Sequence, residues 1–145
     1  MKRLFFVPLL LFLLIFSAYA DELDNFVINF NMQIKDDSNF KSDLSVTFGA
    51  PQERVEYYYK QVDKPADVYM IFRLSEVTKR PPEQVFEVYK KNRGKGWGVI
   101  AMELGVKPGS NEFHLLKEDK IGKHKKEKHK DKGHGKGRDK GKPKD

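Results

Sequence analysis

Arg93-Gly94-Lys95-Gly96-Trp97-Gly98 is the segment of this 145-residue sequence whose residue types are best suited to chemistry. Glycines at the start of a helix leave backbone amides free, and Lys90, Lys91, Arg93 and Lys95 lie close by. Together they would suit a phosphate or a carboxylate. The same glycines would also permit a tight turn between two helices, with Trp97 packed across it as part of the core. His114, the one histidine outside the C-terminal tail, follows near Glu103 and Glu112. It could act as a base or a metal ligand, but a single histidine lacks the partners either role requires. The expected site is therefore an anion or ligand loop of Arg93, Gly94, Lys95, Gly96, Trp97 and His114. No catalytic residue and no cofactor is assigned to it.

Other chemistries are poorly served. The chain has no cysteine, which excludes thiol catalysis, disulfides and cysteine-ligated zinc. It has no Ser-His-Asp spacing, paired-carboxylate motif or H-E-x-x-H, and a non-enzymatic protein is expected. A helix-turn-helix reading of 97–114 finds Ala101 and Gly105 at suitable positions, but Asn111 falls where a buried apolar residue belongs.

The C-terminal stretch offers a second kind of chemistry. Residues 120–145 carry 12 Lys and Arg against four acidic side chains. The net charge of +7 thus divides into +8 there, +2 at the first residues and −3 over 21–119. Lys123, Lys125, Lys126, Lys128, Lys130, Lys132, Lys136 and Arg138 are the expected contacts to a polyanion: anionic lipid, lipopolysaccharide, wall polymer or extracellular nucleic acid. His124, His129 and His134 recur every five residues and are weak candidates for nickel, copper or zinc, since the surrounding cations repel a metal ion. A solubilising tail without a dedicated ligand is the plain alternative.

These residues need elements to hold them. Phe26, Ile28, Phe30, Met32 and Ile34 alternate with mostly polar neighbours, which predicts an N-terminal strand over 26–35. A helical stripe through Phe26, Phe30 and Ile34 competes with it. A lone strand leaves half its backbone groups unpaired, so a second strand or a homodimer pairing this strand with its copy is expected. From residue 40 to about 118 the text is helical, cut by proline and glycine. Phe40, Leu44 and Phe48 lead to Gly49. Pro51 opens a helix with Val55, Tyr58, Tyr59 and Val62 inward. Pro65 opens one burying Val68, Met70, Ile71, Leu74 and Val77. Pro81-Pro82 opens one burying Val85, Phe86 and Tyr89. A short helix over 97–104 ends at Gly105, and a last turn or two carries Phe113, Leu115 and Leu116. Residues 119–145 hold a single apolar side chain, Ile121, which predicts disorder.

Ahead of all this, Met1-Lys2-Arg3 precedes an apolar run over 4–16, and Ala18 and Ala20 form an A-x-A cleavage site. That is the order of a secretory signal peptide, and the run is well short of the roughly 20 apolar residues that span a bilayer. Export, with the leader cut after Ala20, places the protein in a periplasm or the medium and removes chromosomal DNA as a partner.

Asn92-Arg93-Gly94-Lys95-Gly96-Trp97-Gly98-Val99-Ile100-Ala101, continuing through Leu104-Gly105-Val106-Lys107-Pro108-Gly109-Ser110-Asn111-Glu112-Phe113-His114, is a distinctive string. With Pro65-Ala66-Asp67-Val68-Tyr69-Met70 upstream, it resembles a group of small exported bacterial proteins of uncharacterised function. The resemblance implies a compact exported domain and brings no activity or site residues. The expected organisation is a signal peptide over 1–20, a mainly α domain of short Pro/Gly-bounded helices with an N-terminal strand over 21–118, and a disordered basic tail over 119–145. The expected function is an exported non-enzymatic binding or interaction protein. The alternatives are a metal-associated protein using the tail histidines and a small-ligand or enzymatic domain centred on 93–114.

Overall fold

The computed structural model describes residues 22–133, with side chains as far as residue 127. The expected leader and its cut lie outside the described residues, as do 134–145. The architecture is mainly helical, and the described residues contain no strand. Residues 22–33 form α1. Then follow α2 (Asp37–Phe48), α3 (Gln52–Tyr59), α4 (Pro65–Thr78), α5 (Pro82–Lys91), α6 (Trp97–Glu103), α7 (Asn111–Leu116) and α8 (Lys120–Gly133).

The boundaries follow from local chemistry. Asp36 caps α2 by accepting from the Asn39 amide at 3.0 Å, and Gly49 ends it in the left-handed conformation at φ 63°. Pro65 and Pro82 occupy the first turns of α4 and α5, where a missing N–H costs nothing. Ser110 caps α7 by accepting from the Phe113 amide.

The order of the layers is set by α4, which is buried without interruption from Ala66 to Leu74. It packs against α2, α3, α5 and α7, while Phe30 of α1 brings its ring within 4.6 Å of Tyr69. Residue Asn31 of α1 also accepts from the Ala66 amide at 3.1 Å, satisfying one of the orphan donors at the start of α4.

The N-terminal strand is the correction the structure makes. Leu23, Val27 and Phe30 are 0, 3 and 7 % exposed, whereas Ile28 and Met32, counted inward as a strand, are 46 and 68 % exposed. A helix satisfies its own backbone, while a strand here would have had no neighbour to pair with. The strand-paired homodimer loses its basis with the strand.

A second difference lies in the stretch expected to be disordered. Its first half is α8, set against α2, and Ile121 is 7 % exposed. Composition counted one apolar side chain as too few, but that side chain joins the buried apolar cluster that holds Phe30 and Phe40.

The helical register of α1 can be checked directly. Phe30→Ala should cost about 3–5 kcal/mol in urea unfolding, while Ile28→Ala and Met32→Ala should stay within about 0.5 kcal/mol. A strand with Ile28 and Met32 inward would give comparable large losses at all three positions.

Candidate functional site

The 93–98 loop is built on Asn92, which is 2 % exposed. Its Nδ2 donates to the Val88 carbonyl at 3.0 Å and to Glu103 Oε2 at 2.7 Å. Lys91 donates to the other Glu103 oxygen at 2.7 Å, and these two bonds, Lys91 first, hold the Glu103 carboxyl below its ordinary value. The base of the loop is thereby fixed to α6. Gly94 and Gly96 then take φ 82° and 93°, a region that side chains other than glycine's seldom enter.

Gly96 serves a close approach as well as a turn. A methyl group on it would lie 2.3 Å from Asp24 Oδ2. That carboxylate belongs to α1, and its other oxygen accepts from the Trp97 amide at 2.6 Å. The loop does bind a carboxylate, and the carboxylate is the chain's own.

Trp97 is 5 % exposed, and its indole Nε1 donates to Asp67 Oδ1 at 2.9 Å. Tyr89 stacks on the indole with ring centres 5.3 Å apart and donates through its hydroxyl to Asp67 Oδ2 at 3.1 Å. The Lys64 amide donates to the same oxygen at 3.0 Å. Three donors thus converge on one buried carboxylate at the start of α4. Burial pushes the Asp67 carboxyl above its ordinary value, and the bonds from Trp97, Lys64 and Tyr89 offset this only in part. Burial likewise pushes the Tyr89 hydroxyl up to about 12.

Beside this cluster lies an open groove of about 340 Å³, lined by Asp24, Lys64, Asp67, Lys95 and Trp97 among others. Each of its two carboxylates already accepts from backbone or indole N–H groups. The structure brings Gly94, Lys95, Gly96 and Trp97 to this groove and leaves the other two expected residues elsewhere. Arg93 donates to the Gln61 carbonyl, lies 3.6 Å from Asp63 and stacks over the Tyr89 ring. His114 is exposed on α7, outside the groove.

The histidine series is not assembled among the described residues. His124 is half-buried on α8, with Nε2 shielded from solvent and without a hydrogen-bond partner. The His129 side chain and all of His134 lie outside the described residues. No group of three or more His, Cys, Asp or Glu is placed to hold a metal among the described residues.

Sequence reasoning missed a second polar cluster, on another part of α4. Arg73 is 6 % exposed. It donates from Nε and Nη2 to the Leu115 carbonyl at 3.0 and 2.8 Å, and from Nη1 to Glu76 at 2.6 Å. Four residues earlier, the Tyr69 hydroxyl donates to the Glu118 carbonyl and accepts from the Lys120 amide at 3.2 Å. Burial pushes that hydroxyl up to about 12. Glu76 also takes the Lys120 ammonium. Residues 69, 73 and 76 therefore clamp the junction between α7 and α8. An arginine inside the apolar run Val68 to Val77 was the available signal, since a buried guanidinium must be paired.

The lysines at the root of α8 are engaged too. Lys123 pairs with Glu118 at 2.6 Å and Lys125 with Asp43 of α2 at 2.6 Å. Lys126 is exposed. The remaining lysines of the series, Lys128, Lys130, Lys132 and Lys136, with Arg138, have side chains outside the described residues.

No family model, curated protein or solved structure matches this chain. Function has to be argued from the residues themselves.

Two measurements test the geometry. Gly94→Ala should cost about 1–2 kcal/mol, the backbone penalty alone, because nothing lies near the added methyl. Gly96→Ala should cost more, and the excess should vanish in an Asp24→Ala background, a coupling that a double-mutant cycle reads.

The second measurement is acid release of α8. Burial tends to raise the Glu76 carboxyl, but hydrogen bonds from Lys120 and Arg73 win and hold it below its ordinary value. The Lys123 bond lowers Glu118. Both folded values lie below the free value of 4.5, so their contribution is complete above that pH and is lost as pH falls through the folded values. The hydrogen-exchange protection factors of residues 120–127 should fall below about pH 4 while those of residues 66–74 hold.

Proposed function

We propose that the protein is an exported, non-enzymatic binding protein of the bacterial envelope, with its leader removed after Ala20, and that its basic C-terminal arm binds polyanionic surface. Anionic lipid, lipopolysaccharide, wall polymer and extracellular nucleic acid share the required chemistry: a dense row of negative charge. The observation that carries this reading is where the cations sit once α8 is in place. Lys120, Lys123 and Lys125 are matched by Glu76, Glu118 and Asp43 of the same chain. Beyond them, residues 126–145 hold nine Lys and Arg against four acidic side chains. The arm thus starts at a clamped root, and residues 126–145 carry a net charge of +5 while 21–119 are net acidic.

Support for the non-enzymatic part comes from the groove beside Trp97. Asp67, the buried carboxylate among the described residues, is committed to three donors, and Asp24 to the Trp97 amide. Both oxygens of the Asp67 carboxylate are engaged, which leaves it poorly placed to act as a general base or nucleophile.

The test is a deletion. The chain ending at Lys125 should retain its thermal midpoint but bind vesicles of phosphatidylcholine and phosphatidylglycerol in equal parts at least about tenfold more weakly than the full chain. Binding by the full chain should fall on the order of 100-fold or more between about 50 and about 200 mM salt. Undiminished vesicle binding by the shortened chain would sink the reading.

A further inference from the structure

We propose that α8 is an autoinhibitory latch, in which Asp43, Glu76 and Glu118 hold the root of the basic arm against the domain until a denser polyanion takes their place. The inference rests on the reading that the arm binds polyanions, and it adds a competition inside the molecule.

The hold on α8 is deliberately divisible into parts. One apolar residue, Ile121, is buried, and Gly122 follows it with its amide donating to Asp119 Oδ1 at 2.8 Å. His124 of the same helix is half-buried, the Lys120 ammonium lies over the Phe48 ring, and the charge pairs that attach α8 are Lys120 to Glu76, Lys123 to Glu118 and Lys125 to Asp43. The lysine side chains of those pairs are 31, 60 and 55 % exposed, so salt and competing anions reach them. The helix has little persistence of its own. It is 14 residues long, contains Gly122 and ends at Gly133, and its Lys126–Lys130 and Lys128–Lys132 spacings set like charges one turn apart. Separated from the domain it would not keep its shape, so its order is a consequence of docking.

Two partners therefore bid for the same three ammonium groups. The domain offers three separate carboxylates at fixed positions. A polyanionic surface offers closely spaced charges that also engage Lys126 and the cations after it. The domain's carboxylates thus set a threshold: sparse anions leave α8 docked, and dense ones draw off the whole arm. Releasing it also exposes Ile121, which is buried in the cluster that holds Phe30 and Phe40.

The experiment compares two full-length variants with the same net charge. One carries Asp43→Asn, Glu76→Gln and Glu118→Gln. The other carries Glu53→Gln, Glu87→Gln and Glu112→Gln, at exposed sites away from α8. The latch variant should bind phosphatidylcholine–phosphatidylglycerol vesicles roughly tenfold more tightly than its charge-matched control. Its residues 120–127 should exchange hydrogen faster without vesicles, while 66–74 remain protected and show the core intact. Equal affinity of the two variants overturns the latch and leaves the polyanion reading standing. Absence of vesicle binding by the unmodified chain overturns that reading and the latch with it.

Discussion

A helix buried on every side must find a partner for each polar group it takes inside, and α4 takes in three: Asp67, Tyr69 and Arg73. Leaving any one of them unpaired would cost about 1–3 kcal/mol, and more for the charged two. Their partners define the rest of the molecule. Asp67 gathers Trp97, Tyr89 and the Lys64 amide, which sets the end of α5, the glycine loop and the start of α6. Arg73 and Tyr69 gather the carbonyls of Leu115 and Glu118 and the amide of Lys120, which sets the end of α7 and the direction of α8. The apolar residues between them supply the cohesion, and the polar ones supply the register.

The glycine loop illustrates how a binding motif can be satisfied from within. Free amides and flexible backbone at the head of a helix attract an anion of any origin. Asp24 arrives there from α1, held by the burial of its neighbours Leu23 and Val27. A tethered carboxylate competes at an effective concentration set by the fold, whatever the level of free anion. An outside anion would have to displace it and strand the Asp24 charge against Gly96. The loop's chemistry was legible in its residues. Its occupant was not, because Asp24 is 73 residues from Trp97 and nothing in local sequence joins them.

Elsewhere, legibility tracks how local the deciding force is. The starts at Pro65 and Pro82 and the stop at Gly49 are properties of single residues, and the helices they bound were readable. So was the inward face of α4, since its length and apolarity left no other arrangement. Residues 26–35 failed because Phe26, Phe30 and Ile34 satisfy both periodicities. The choice fell to Leu23, which lies before the alternating run, and Val27, which the alternation would turn outward and the helix buries. The root of the tail failed for a different reason. Composition measures what a segment can bury by itself, whereas Ile121 is buried in a cluster whose other members come from the rest of the chain, and its lysines meet carboxylates at positions 43 and 76. Arg73 sits among core residues in the sequence, and its main partner, the Leu115 carbonyl 42 residues away, is supplied only by the fold.

The division of charge along the chain now has a structural meaning that a net figure hides. A basic arm on an acidic domain is usually read as two independent parts, one folded and one soluble. Here the two meet at a clamped junction, and three carboxylates of the acidic part are spent on the first three lysines of the basic one. That arrangement costs the arm part of its reach, since its root is neutralised before any partner is met. It also gives the remaining cations a fixed origin on the surface of the domain. Tyr69 and Arg73, buried in the middle of the core helix to hold that junction, argue that where the arm begins matters as much as the charge it carries.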